Sequence, residues 1–540
     1  MKEYVITLHN FDDLDGFYED METPGGNLYI PDRVVDVAHK RPVSRNTNYM
    51  LTEEEAEKIS QDPRVLAVDL TREARGVRLV PHWSESGNVW NKSNSVASTY
   101  KNWGLLRCVE GVQRTGWGLD TQLNTVSGTI NVTASGKYVD IVIVDGHLNP
   151  DHPEFSVNID GTGGSRVTQY NWFSLNPQVT GGVSTNYSYT PYVSASTKIT
   201  SDNDHGTHVA GIACGNTQGW AHDANIYNIN PYTTNENYLL DYIKIWHRNK
   251  PINSVTGIKN PTITNHSYGS SYSFPITFLS QVRYRGTTYS GPFTSNQLTN
   301  WGINNSGGAT DTPTSDPAFT ADYIDLMAEG VIVIGSAGNS ANKIAVPNSS
   351  TTDDYNNYYM ITGYSTLIWY NRGCDTAAPG AICVGGIGSS SDDSKITYSN
   401  CGPRVDVYAP GRHIMSSVNT TTGIVVSDTR NTTFKLTKKS GTSQAAPQVT
   451  GIVACLAEST PRISQSDALK YIQSTAKIGQ IFSFNLGITD PTDLQGSVNR
   501  YLYFYKQRLD DGFVGPKVNS GARPDTGQTW PRTKIFRYGS

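Results

Sequence analysis

Along the first seventy residues the apolar positions follow strand and helix periods in turn. Tyr4–Leu8 alternates and predicts a strand, Asp12–Met21 is polar and helix-like, and a second strand falls near Asn48–Leu51. Thr52 then caps a helix over Glu53–Ile59, whose first-turn carboxylates suit the helix dipole. Val65–Leu70 alternates again. These pieces make a small α+β unit. From about Trp103 to Lys477 the pattern changes: short β-branched runs such as Ile141–Val144 and Val331–Ile334 alternate with helical stretches. That is the signature of an α/β domain with a mainly parallel central sheet. Between the two blocks, residues 78–102 show no period and read as a linker. Residues 478–540, with Tyr501-Leu502-Tyr503-Phe504-Tyr505 and many Pro/Gly turns, read as a C-terminal extension.

Composition narrows the choice. The 540 residues carry 43 Lys and Arg against 48 Asp and Glu, so no basic field favours nucleic acid. Tyr at 31 and Trp at 10 argue for a folded, aromatic-rich chain. The longest apolar runs are strand-length, far short of the ~18 residues of a membrane span. The start alternates like a strand and runs into Asp12-Asp13, so no cleaved leader is read there. The expectation is cytoplasmic synthesis, followed by retention, association with a virus particle, or export by a leaderless route. None of the six cysteines sits in a C-x-x-C pair. Cys383 and Cys455 fall in apolar runs that predict packing, while a Cys374–Cys401 disulfide stays open.

Four segments carry candidate chemistry. Asp140-Ile141-Val142-Ile143-Val144-Asp145-Gly146 ends an apolar strand in a carboxylate, either a plain turn or a group placed to orient another side chain. Asp204-His205-Gly206-Thr207-His208 opens a helix with a small face. A metal pair is its competing reading, but no H-E-x-x-H and no third ligand accompany it. Gly335-Ser336-Ala337-Gly338-Asn339 follows a strand and reads as a turn or as an amide donor facing a cleft. Ser440-Gly441-Thr442-Ser443 opens a helix to about Glu458, with Pro447 near the end of its first turn. Ser443 is either an N-cap or a nucleophile beside N–H groups that can hold an oxyanion.

Taken together, the order Asp145, His205, Asn339, Ser443 resembles the subtilisin-like serine protease (subtilase) family. The likeness covers Val142–Gly146, His205–Gly211, Thr264–Gly269, Gly335–Asn339 and Gly441–Gly451, within roughly residues 103–477. It implies a three-layer α/β fold and a serine endopeptidase acting through an acyl-enzyme. Ser443 would be the nucleophile, His205 the general base and Asp145 its orienting carboxylate. Asn339 would donate to the oxyanion. Ser267, Tyr268 and Gly269 would pair with the extended protein or peptide substrate, facing Ser336, Ala337 and Gly338 across the primary pocket. His208 would be a packed helix residue. The resemblance requires no cofactor and implies no metal ligand. Calcium in the acidic loops stays open, without a ligand-spaced motif. Leu51-Thr52-Glu53-Glu54-Glu55 with Asp62-Pro63-Arg64-Val65 resembles the family's inhibitor-type propeptide. Residues 1–77 would then be a ferredoxin-like α+β domain that inhibits the chain's own active site. Its cleavage point would lie near Gly76–Val77, within 72–101.

The chain also departs from the family pattern. Gly146 stands where a hydroxyl usually follows the catalytic aspartate, Gln444 where Met follows the serine, and Gln448 where His follows Pro447. Two insertions, about 156–200 and 272–313, are expected to be either surface loops or cover for the groove. With the C-terminal extension they offer surfaces for an assembly partner. The rival reading is a catalytically silent or weak subtilase fold serving as a structural component of a virion or surface assembly.

Overall fold

In the computed structural model the run Asp140–Val144 (β1) is a strand buried along its whole length. Ile141 and Ile143 enter one apolar core, Val142 and Val144 a second one. This two-sided burial is what a continuous β-branched run is for: it makes a central strand covered on both faces. The model describes residues 1–30, 37–39, 46–70, 102–111, 130–131, 134–180, 191, 203–231, 234, 236–315, 317–347, 354–363, 367–388, 393–419, 425–482, 494–504 and 508–509. Two compact units emerge, 1–86 and 87–540. The expected linker lies outside the described residues except Asn102, and so does the expected cleavage point.

The second unit is built on nine strands. After β1 come β2 (Val167–Thr168), β3 (Asn225–Ile229), β4 (Thr262–His266), β5 (Ile332–Ser336) and β6 (Ile382–Ile387). They are followed by β7 (Val407–Pro410), β8 (Lys477–Ile478) and β9 (Arg500–Tyr501). The order across the sheet is β8-β9-β7-β6-β5-β4-β1-β3-β2, parallel except for the β8–β9 pair. Helices α1 (Asn203–Cys214), α4 (Thr442–Ser459) and α5 (Gln465–Thr475) pack on one face. Helices α2 (Glu236–Asn249) and α3 (Pro317–Ala328) cover the other. The result is the three-layer α/β architecture expected from the sequence. Among the described residues no helix is long and apolar enough to cross a membrane.

Several boundaries differ from the sequence reading. The extension supposed to begin at 478 is in part core: β9 belongs to the main sheet, and Tyr501, Leu502 and Phe504 are fully buried. A two-residue strand has no period to read, which is why it passed for tail. All six cysteines are free and buried, so Cys374 and Cys401 form no disulfide. The insertion 272–313 is a folded lobe rather than a bare loop. Its strands Leu279–Tyr284 and Thr287–Ser290 form a hairpin, which Tyr358–Ile361 and Ile368–Trp369 extend to four strands. Leu279, Val282, Leu298 and Ile303 close its core with Tyr359, Ile361 and Tyr370. In the other insertion Tyr170 and Trp172 stack edge-on with Trp246 of α2, while 181–190 and 192–200 lie outside the described residues.

The first unit is a four-stranded antiparallel sheet with two helices. Its strands lie in the order Val37–His39, Asn46–Leu51, Lys2–Leu8, Val65–Leu70. With helices at Leu14–Glu22 and Glu53–Ser60 this is the ferredoxin-like β-α-β-β-α-β order. Thr52 and Glu55 form the capping box that starts the second helix, at 3.3 and 2.8 Å. Ile6, Leu8, Phe17, Met21, Tyr49 and Leu51 fill the core.

Candidate active site

Asp145 leaves the carboxyl end of β1, where its N–H is held by the Ile229 carbonyl at 3.1 Å. The carboxylate is 1% exposed, and the His205 ring sits on it: Nδ1 lies 2.8 Å from Oδ1 and 3.0 Å from Oδ2. Oδ1 also accepts the Gly146 N–H at 2.7 Å, so a backbone group supplies support despite the missing hydroxyl side chain. Helix α1 can bring His205 this close because residue 206 is glycine. A Cβ there would collide with the Gly146 carbonyl. His208, one turn on, faces away into the core and reaches the Thr437 carbonyl at 3.2 Å. Burial holds its ring well below the usual imidazole range, consistent with a packed residue.

Ser443 is the second residue of α4, so its N–H is among the first four that have no intrahelical acceptor. The turn before it needs glycine: Gly441 adopts φ 156°, ψ 168°, a region closed to other residues. Asn339 follows β5, and its Oδ1 accepts the Thr442 N–H at 2.9 Å and the Thr442 hydroxyl at 3.0 Å. That fixes the amide so that Nδ2 turns toward Gly441, 3.4 Å from where a Cβ on that glycine would stand. Thr442 Oγ1 in turn accepts the Gly338 N–H at 3.1 Å, tying the two segments into one cradle. The Ser443 hydroxyl donates to the Ser267 carbonyl at 3.1 Å.

Ser267 and Tyr268 continue the end of β4, and Ser336 ends β5, its neighbour in the sheet. Ser267, Ser336 and Ala337 are buried, Tyr268 is half-buried and Gly269 is exposed. Between the two segments lies Cys374 Sγ, 2.8 Å from a Cβ placed on Gly269 and 3.6 Å from one on Gly338. Burial raises this thiol to about 11. Beneath Tyr268 lies His266, which is fully buried. Its Nε2 meets the Thr264 hydroxyl at 2.8 Å, and its Nδ1 faces the Tyr268 and Tyr323 hydroxyls at 3.2 and 3.1 Å. Burial brings the His266 ring down to about 3.

The remaining departures also find a place. Gln448 turns away from the serine, accepting the Trp220 indole N–H at 2.8 Å and donating to Asn102 at 3.2 Å. Gln444 lies beside Gly441, its Oε1 3.0 Å from a Cβ placed there. Pro447 lies in the second turn of α4, not the first, so it does remove an intrahelical bond. Glu154, in the short 3-10 turn Pro153–Phe155 after Asp145, is wholly buried. It accepts from Arg430 at 2.6 Å, from the Thr217 hydroxyl and N–H at 2.5 and 2.9 Å, and from the Gln218 N–H at 2.9 Å. Burial alone would raise its carboxyl, yet Arg430 and these donors bring it down to about 2. Among the described residues no three His, Cys, Asp or Glu side chains gather as a metal site. Sequence reasoning missed Thr442, Asn265, Thr450 and the Glu154–Arg430 pair.

Asp145 and Asn339 follow strand ends of the parallel sheet, while His205 and Ser443 lie near the N-termini of helices packed on one of its faces. A buried aspartate on an imidazole, a serine at a helix head and an amide cradle define a hydrolase-type site. The model of the subtilase family matches residues 136–502, more than half of the chain, and the chain belongs to that family. Mycosin-3 of Mycobacterium tuberculosis is 28% identical over 152 residues, covering 28% of this chain and 31% of its own length. Alkaline serine exoprotease A of Vibrio alginolyticus is 28% identical over 192 residues, covering 35% and 31%. The chain thus spans about a third of the length of these curated relatives. The crystal structure of a cold adapted subtilisin-like serine proteinase is similar over 74% of this chain and 97% of that one, at 20% identity and a TM-score of 0.42.

Proposed function

We propose that the protein is a serine endopeptidase that hydrolyses peptide bonds through an acyl-enzyme and is made as a self-inhibited precursor. The observation that carries this is the His205–Asp145 contact at 2.8 Å, in a chain that also sets Ser443 at the head of a buried helix next to the Asn339–Thr442 cradle. At rest the Ser443 hydroxyl is held by the Ser267 carbonyl; rotation about χ1 would hand its proton to His205 Nε2. Oγ then attacks the scissile carbonyl, and His205 passes the proton to the leaving amine. A water attacks the acyl-enzyme by the same route in reverse. Asp145 holds the tautomer with Nδ1–H and stabilises the imidazolium. Asn339 Nδ2 and the Ser443 N–H receive the oxyanion.

Residues 1–77 serve in this reading as intramolecular inhibitor, and 78–102 as the processing region. Support comes from the ferredoxin-like topology of the first unit. Similarity to a relative named extracellular serine protease, from Serratia marcescens, supports export after synthesis. The lobe at 272–313 offers a surface for an assembly partner. The test is intact mass with N-terminal sequencing on wild type beside Ser443→Ala, plus labelling with a fluorophosphonate. Wild type is expected to be cut between residues 72 and 101 and to take the label, while the variant does neither. If both stay whole and unlabelled, a silent structural fold is the better reading.

A further inference from the structure

In an α-helix the N–H of residue i+4 closes on the carbonyl of residue i, so position 447 of α4 faces the carbonyl of Ser443. Proline brings no N–H there, and its ring pushes that carbonyl outward. The chain thus removes the ordinary backbone anchor from the residue that carries the proposed nucleophile. The replacement comes from the sheet. Ser267 Oγ donates to the Ser443 carbonyl at 3.0 Å. The same oxygen accepts Asn265 Nδ2 at 2.9 Å, and Asn265 Oδ1 accepts the Thr450 hydroxyl at 2.9 Å. That acceptor is the nearer of the two for Thr450, whose other one is the Ala446 carbonyl at 3.2 Å. Thr450 is seven residues beyond Ser443, on the same face of α4 two turns down. Asn265 and Thr450 are fully buried, and Ser267 is 3% exposed.

We infer that Asn265, the Ser267 hydroxyl and Thr450 form a positioning device that supplies from β4 the donor Pro447 withholds from α4, and so fixes ψ at Ser443. Oγ then keeps its bearing toward His205 and the Asn339 cradle. The inference rests on the reading of Ser443 as nucleophile. Asn265 and Thr450 touch no substrate and act only through Ser267.

The experiment measures kcat and KM on a peptide ester, with fluorophosphonate labelling to count active sites. Ser267→Ala keeps the backbone edge, so kcat is expected to fall about 10–100-fold with KM changed less than about threefold. Adding Asn265→Ala to that variant is expected to cost less than about a further twofold, because the two act as one unit. Adding Pro447→Ala to Ser267→Ala restores a backbone N–H for the carbonyl, and kcat is expected to recover about fivefold or more. A merely structural serine would show no such rescue. Should Asn265→Ala fail to fold, Thr450→Val carries the same test through a smaller loss that disappears in the Ser267→Ala background. A wild type that labels and hydrolyses while Ser267→Ala matches its kcat, or while Pro447→Ala rescues nothing, overturns the inference alone. A wild type that neither labels nor hydrolyses overturns the nucleophile reading and the inference with it.

Discussion

The side-chain oxygen of Asn339 is held twice by Thr442, by its N–H at 2.9 Å and by its hydroxyl at 3.0 Å. An amide held by its oxygen can turn only its nitrogen to the serine. Asn339→Ala is therefore expected to lower kcat about 10²–10³-fold with little change in KM, as loss of one oxyanion donor does. Thr442→Val, which keeps the N–H and loses the hydroxyl, should fall between wild type and that variant in the same steady-state assay.

His266 predicts part of the acid sensitivity. Burial keeps its ring neutral down to about pH 3, whereas the unfolded chain takes up a proton near 6.5. Below pH 6.5 the unfolded state binds more protons, so stability falls as pH drops, and this loss continues until about pH 3. His266→Gln should melt lower than wild type at pH 7, having lost the fit to Thr264 and the two tyrosines. Between pH 7 and 4.5, however, its melting temperature should decline less. Equal slopes for the two proteins would count against this.

The Glu154 carboxylate acts in a lower window. Its folded value near 2 lies below the ordinary 4.5, so its contribution is complete above about pH 4.5 and vanishes as pH falls toward 2. At 1.36 kcal/mol per pH unit the gap is worth roughly 3 kcal/mol. Arg430→Met leaves that carboxylate buried without its cation, and denaturant unfolding at pH 7 should show a loss of about 3–5 kcal/mol. Arg430→Met with Glu154→Gln should recover part of it.

Cys374 should govern what fits between the two substrate-facing segments. Its sulfur lies close to both Gly269 and Gly338, so, with those segments facing substrate as proposed, it takes up room there and is expected to favour small side chains. In a panel of peptides varied at the residue before the cut, Cys374→Ala is expected to raise kcat/KM for leucine or phenylalanine relative to alanine about tenfold. An unchanged ranking would remove Cys374 from that role.

How much of this was legible follows from how far apart the partners are. Asp145, His205, Asn339 and Ser443 each sit in a short segment of unusual composition, and their order in the chain gave the family away. The first unit was readable because its second helix carries a capping box and its longer strands alternate; only the three-residue strand Val37–His39 escaped. The network behind the serine was not readable. Thr450 and Asn265 are 185 residues apart, and neither has a neighbour that marks it as buried and polar. The same holds for Arg430 and Glu154, separated by 276 residues. Pro447 was visible, but its effect depends on the helix starting at Thr442, an end that propensity alone places only to within a turn.

The lobe formed by the insertion 272–313 has a consequence for synthesis. Its central strand pairs on one side with the hairpin partner beside it in sequence, and on the other with a strand from much later, Leu279 meeting Ile361. Between them the chain must pass through α3 and β5. As the polypeptide leaves the ribosome, the hairpin therefore emerges with an open edge and half a core. It stays in that condition until roughly eighty more residues have appeared, several seconds at ~5–20 residues per second. During that interval Val282 and Leu298 have no Tyr359 or Tyr370 to lie against. This nascent stage, rather than the finished protein, is where a chaperone would have most to protect.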